Sequence, residues 1–197
     1  VKIDGDLLIG VLAKYLLDIG KIKKGDEIVG TEMTNLGLEN YITDLGIKFF
    51  RAKVGDRYIL ERMRKGNCLL GGEPSGHIIW GEVSQTGDGI LAALKVLEAM
   101  RYYGQSISEL VSKIKLYPQV NKNVSVVKKK DFSKIKSLTS LMNQSKKLLG
   151  KKGRVLLRYS GTEPLARVMV EGEDAELVED ICDKLSKSLL QEIGVGE

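Results

Sequence analysis

A chain of 197 residues, 43% apolar and 29% charged, can build one large or two small cored domains and is neither disordered nor fibrous. The formal charge of +5 suits an anionic ligand, while the one dense basic run, Lys128-Lys129-Lys130, lacks the interleaved aromatics of a nucleic-acid surface and reads as a solvated loop edge. No apolar run reaches the roughly 18 to 20 residues that span a bilayer, no signal peptide is recognisable, and Cys68 and Cys182 lie apart in apolar patterns, as buried thiols of a cytoplasmic protein do.

In chain order, Asp4-Gly5-Asp6 caps a helix carrying Leu8, Val11, Leu12, Tyr15 and Leu16 at helical spacing and stopping at Gly20. EIVGTEM reads as a buried strand, Asn35 to Leu45 as a helix and Ile47 to Ala52 as a strand. A third helix spans Tyr58 to Lys65, and strands at Cys68 to Gly71 and Ile78 to Trp80 flank a Pro-Ser-Gly turn. Asp88 to Arg101 reads as a strongly apolar helix, followed by a short one from about Ser108 to Lys115. This alternation predicts an α/β domain with a mixed, mainly parallel sheet over residues 1–118. The pattern changes at Tyr117-Pro118-Gln119-Val120. Residues 119–197 read as a small α+β domain with an antiparallel sheet: a strand at Val124 to Val127, a helix at Asp131 to Leu149, strands at Arg154 to Tyr159 and Ala166 to Glu171, and a helix at Asp174 to Leu190.

Two loops carry the chemistry. RYSGTEPLAR joins two apolar strands and holds Arg158 and Arg167, whose forked donors match phosphate oxygens. Ser160 and Thr162 add hydroxyls, and Gly161 allows a backbone nest. An ordinary polar hairpin with arginines paired to surface acids fits the same residues equally well. In GGEPSGHIIWG, Glu73 and Ser75 can hydrogen-bond sugar hydroxyls, Gly76 leaves room for a ring, and His77, the only histidine, can carry a proton near neutrality. A plain turn with a structural histidine is the competing reading.

RxSGTEPxxR resembles the phosphate-binding loop of the α-D-phosphohexomutase family, and GE-x-SGH resembles its sugar-recognition loop. RYSGTEPLARVMVEG is similar to the branch that acts on glucosamine phosphates. KVGDRYILE, TNLGLE, TGDGILAAL and YPQV resemble further segments of that branch, and together the matches cover nearly the whole chain. The resemblance implies that Arg158, Ser160, Gly161, Thr162 and Arg167 hold the phosphate that is not reacting. It implies that Glu73 and Ser75 grip the sugar hydroxyls at C3 and C4, that Gly76 and His77 lie beside the substrate, and that Asp56 and Arg57 face the cleft. Pro74 departs from the Gln, Asn or Met usual at its position, and Gln85 from a Thr.

The family's phosphoserine and its DGDGDR-type Mg²⁺ loop have no counterpart here. Asp4-Gly5-Asp6 has only two carboxylates and resembles the stretch that follows the metal loop, so the chain is expected to begin just past it, with no catalytic residue and no metal ligand of its own beyond His77 as a proton carrier. The implied reaction interconverts glucosamine 6-phosphate and glucosamine 1-phosphate through glucosamine 1,6-bisphosphate, feeding UDP-N-acetylglucosamine and cell-wall synthesis. The implied partners are a sugar phosphate and the family's N-terminal domains, with a homodimer left open and neither nucleic acid nor membrane. A phosphoglucomutase or phosphomannomutase, or a non-catalytic sugar-phosphate-binding protein, remain as alternatives.

Overall fold

The computed structural model describes residues 3–195. The chain forms two compact units, Val1–Leu116 and Tyr117–Glu197.

The first unit is built around helix α1 (Gly5–Asp18). The Asp4 carboxylate caps it by accepting from Leu7 N at 3.1 Å. Leu7, Ile9, Val11, Leu12, Ala13 and Leu16 are all buried, so α1 is covered on several sides rather than along one stripe. It packs against α2 (Leu36–Asp44), α4 (Gly89–Tyr103), α5 (Ile107–Val111) and strand β3 (Leu70–Gly72). The sheet runs β2 (Lys48–Ala52), β1 (Glu27–Thr31), β3, β4 (Ile78–Trp80). β1 is parallel to both β2 and β3, and only β4 is antiparallel, which is the mixed, mainly parallel sheet read from the sequence. Helix α3 (Asp56–Gly66) packs on β1, β2 and β3, and its Ile59 and Met63 join Val29, Ala52, Cys68 and Ile79 in a second core cluster.

Helix α4 forms where the apolar helix was expected, but little of its surface is covered. Only Ala92 and Ala99 are buried, while Ile90, Leu94 and Leu97 are 78%, 54% and 57% exposed. Small residues let α4 lie close on α1 and β4, Leu91, Val96 and Met100 pack partly against the core, and Ile90, Leu94 and Leu97 stay exposed. The next helix is also shorter than read. A capping box between Ser106 and Glu109 starts α5, which ends at Val111, well before Pro118.

The second unit has three antiparallel strands in the order β5 (Gln119–Ser125), β7 (Leu165–Gly172), β6 (Gly153–Tyr159). β5 begins five residues earlier than expected because Gln119 already pairs with Glu171 in register. Val168, Val170 and Ala166 of β7 face helices α6 (Lys136–Leu149) and α7 (Ala175–Ile193), with Leu138, Val178, Ile181 and Leu185 closing the core. The expected helix from Asp131 is interrupted: a 3₁₀ turn at Phe132–Lys134 leads into α6 through an extended Ile135. The fully buried Glu171 is satisfied by Arg154 and by Gln119 Nε2 at 2.9 Å. Among the described residues no helix is long and apolar enough to cross a membrane.

Two predictions follow from this packing. Arg154→Ala leaves the buried Glu171 without its main counter-charge and is expected to cost about 3 kcal/mol in urea unfolding. Burial and the Glu27 carboxylate, 3.6 Å away, push the Cys68 thiol up to about 11, and burial pushes Cys182 up as well. Both thiols should therefore resist a disulfide reagent at pH 8 in the folded chain and react only at the rate of opening.

Candidate functional site

In the first unit, residues 73–77 connect β3 to β4. Glu73 N donates to His77 O at 2.9 Å and Gly76 N to Glu73 O at 3.0 Å, which closes the turn. Gly5 N, at the start of α1, donates to Pro74 O at 3.0 Å, so the buried helix fixes the loop from behind. Gly76 has φ +95°, a backbone conformation that a side chain disfavours, although a Cβ there would meet nothing within 4 Å.

Glu73 ties this loop to a second one. Its Oε1 accepts from Gly55 N at 3.0 Å, and its Oε2 accepts from Ser75 Oγ at 3.4 Å. Asp56 and Arg57 follow directly, at the exposed start of α3. The Arg57 guanidinium has no hydrogen bond or ion pair among the described residues. Glu73, Ser75, Gly76, His77 and the Asp56-Arg57 turn therefore share one end of the sheet.

His77 is half-buried, and its Nε2 is shielded from solvent with no hydrogen-bond partner among the described residues. Gly87 sits against the ring: a Cβ on it would lie within 2.6 Å of Nε2. Asp88 N donates to Ile78 O at 3.3 Å, and its carboxylate caps α4 by accepting from Ile90 N at 3.0 Å and Leu91 N at 2.9 Å. The Thr86-Gly87-Asp88 turn is thus a helix cap, as its sequence suggests, and also one wall of the histidine's seat. Residue types alone carry no sign of that second role.

In the second unit, residues 160–164 connect β6 to β7, with Ser160 N donating to Leu165 O at 2.9 Å. Arg158 and Arg167 are directly opposite each other across the two strands, with Asn123 opposite Arg167 on the other side. Like charges in that position repel. Arg158 has no hydrogen bond or ion pair among the described residues, and the Arg167 Nε is buried without a partner. Among the described residues the only acid paired with either arginine is Glu163, whose Oε2 lies 2.9 Å from Arg167 Nη2 and 3.3 Å from Ser160 Oγ. The hairpin reading, with both arginines paired to surface acids, therefore fits one arginine and only part of its donors. Gly161 and Thr162 are exposed on the loop, and Gly161 does not adopt a positive φ, so the turn forms without a left-handed glycine nest.

The basic run is not a free loop edge. Lys129 Nζ donates to Ser160 O at 2.6 Å. The Tyr159 hydroxyl donates to Lys130 O at 2.6 Å and accepts from Lys130 N at 3.1 Å, and the Tyr159 and Phe132 rings stack at 4.3 Å. This strap brings a third cation against the loop. Three cations and one carboxylate leave two net positive charges, the complement of a phosphate monoester dianion. Among the described residues, no group of three or more His, Cys, Asp or Glu could hold a metal ion.

The fold is that of an α/β domain followed by a small α+β domain, and the chain belongs to the phosphoglucomutase/phosphomannomutase family. Its alpha/beta/alpha domain III matches residues 4–117, and its C-terminal domain matches residues 122–188. Among curated relatives, the chain is 46% identical over 188 residues to the phosphoglucosamine mutase of Histophilus somni, covering 95% of this chain and 42% of that protein. It is 42% identical over 193 residues to the phosphoglucosamine mutase of Lactobacillus johnsonii, covering 98% of this chain and 43% of that protein. The chain thus spans less than half the length of the curated relatives it matches. Among solved structures, the Aspergillus fumigatus N-acetylphosphoglucosamine mutase in complex with GlcNAc-6P and magnesium shares the fold at a TM-score of 0.79 and 18% identity, over 94% of this chain and 46% of that one.

Gly87→Ala tests the histidine seat. The added methyl should displace the imidazole and weaken sugar-phosphate binding, with a helix content by circular dichroism equal to that of the parent. Unchanged binding would remove Gly87 from the site.

Proposed function

We propose that this chain is the sugar- and phosphate-holding part of an enzyme that interconverts glucosamine 6-phosphate and glucosamine 1-phosphate. The observation that carries the reading is the cross-strand pair Arg158 and Arg167, two opposed cations with unused donors beside Ser160 and a lysine strap. Near-complete coverage of this chain by phosphoglucosamine mutases supports the choice of sugar.

Arg158, Ser160, Gly161, Thr162 and Arg167 hold the phosphate that is not reacting. The arginine forks bind its oxygens, and the exposed loop leaves it free to exchange. Glu73 and Ser75 take the sugar hydroxyls. Glu73 already links the two loops at one end of the sheet, so the gripping carboxylate is oriented before substrate arrives. His77, with its buried Nε2 unpartnered, donates to or accepts from the substrate once it is seated. Arg57 adds a positive charge at the rim. The whole enzyme passes through a phosphoserine and glucosamine 1,6-bisphosphate, so the sugar loop accepts the ring in both orientations. Phosphoryl transfer depends chiefly on positioning and charge, and this chain supplies positioning. Among the described residues no group of three or more His, Cys, Asp or Glu fits Mg²⁺, which on this reading is held by the domains that carry the phosphoserine. The enzyme is cytoplasmic, and its product serves amino-sugar nucleotide synthesis.

Calorimetry on the 197-residue chain with two probes tests this. Arg158→Ala should weaken inorganic phosphate and glucosamine 6-phosphate alike, by about tenfold or more. Glu73→Ala should weaken only the sugar phosphate. The chain alone should show no mutase turnover with substrate and Mg²⁺, and turnover would contradict the division of labour. The full-length enzyme's rates on glucosamine, glucose and mannose phosphates decide the sugar.

A further inference from the structure

Glu163 occupies the position an incoming anion needs. Its carboxylate takes Arg167 Nη2 at 2.9 Å and lies 3.3 Å from Ser160 Oγ, while Glu163 N donates to Ser160 Oγ at 3.3 Å. A bidentate phosphate would use Arg167 Nη2 together with Nε, the donor that is now buried without a partner. The carboxylate is therefore an incomplete substitute: it meets one of the two donors and leaves Arg158 untouched. Its side chain is 52% exposed and sits in a loop of exposed residues, so it can swing out without disturbing the core. The backbone of Ser160 does not move with it, because Lys129 and Leu165 hold the Ser160 carbonyl and amide from other directions.

We propose that Glu163 is a displaceable resident anion of the phosphate loop: it holds Arg167 while the site is empty and retakes it as phosphate leaves. This rests on the phosphate-binding reading of the loop and adds a role in release. A site made only of cations would bind a bisphosphate tightly and part with it slowly. A reaction in which the intermediate must turn over between two half-steps needs the opposite. An internal carboxylate within reach of the arginine lowers the barrier to parting, because Arg167 exchanges one anion for another instead of being left uncompensated opposite Arg158.

The sign of one measurement decides it. Methyl phosphate at pH 8 is titrated into the 197-residue chain, and affinity and dissociation rate are read by NMR line shape. Removing the competitor should strengthen binding about two- to fivefold, the range of an exposed ion pair. The gain should come through slower dissociation, in Glu163→Ala as well as Glu163→Gln. Alanine matters because it cannot donate a new hydrogen bond to the phosphate. If both variants bind as the parent does, or more weakly, Glu163 only supports the loop and the proposal fails. Arg158→Ala, run alongside, separates the two levels of inference. If it loses binding while the Glu163 variants do not gain, the loop still binds phosphate and only the exchange role falls. If it too binds normally, the phosphate-binding reading falls and the exchange role with it.

Discussion

The enclosure of α1 is the constraint on which the first unit depends. A helix buried on several sides cannot shift without opening the core, and its first residue is hydrogen-bonded to the 73–77 loop. The loop inherits that rigidity through Pro74, whose carbonyl is the acceptor. Apolar burial thus reaches the 73–77 loop through one backbone contact, which adds to the turn's own hydrogen bonds in holding Glu73. Proline at that position is consistent with this arrangement, since the contact uses only the carbonyl oxygen.

The second unit solves a different problem. Its sheet has one face covered by helices and one carrying polar rows. The row Gln119, Glu171, Arg154 is internally neutralised and buried at its acid. Four residues further along the strands, the row Asn123, Arg167, Arg158 is left with excess positive charge. The same strands thus carry a structural ion pair at one end and an electrostatic deficit at the other. The alternation of strand side chains puts both rows on one face.

Most of the architecture was legible in the sequence because its signals are local. Apolar spacing, the caps at Asp4 and Asn35, and the glycine stops mark α1 and α2 to within a residue or two. The change of pattern near Pro118 likewise announces the second set of strands. Coverage of α4 was not legible, because periodicity reports that a stripe is apolar, not whether anything covers it; here Ala92 and Ala99 are buried while Leu94 and Leu97 are exposed. At the site, the residue types of both loops suggested their chemistry, but three relations did not show. Gly87 against His77, Lys129 against Ser160, and Glu163 against Arg167 depend on backbone direction across loops, and a density of lysines or a lone turn carries no record of that.

The opposition of Arg158 and Arg167 also has a thermodynamic side. Two cations held face to face leave the empty sheet with repulsion that Glu163 offsets only at Arg167, and a dianion seated between the arginines would remove the rest. Occupancy and folding are then linked: ligand that binds only the folded form raises its stability by RT ln(1 + [L]/Kd). Under the proposed phosphate-binding role, the melting point of the second unit would act as an internal gauge of how full the 160–164 loop is. On that proposal, metabolite concentration and protein persistence would be coupled through a single pair of arginines.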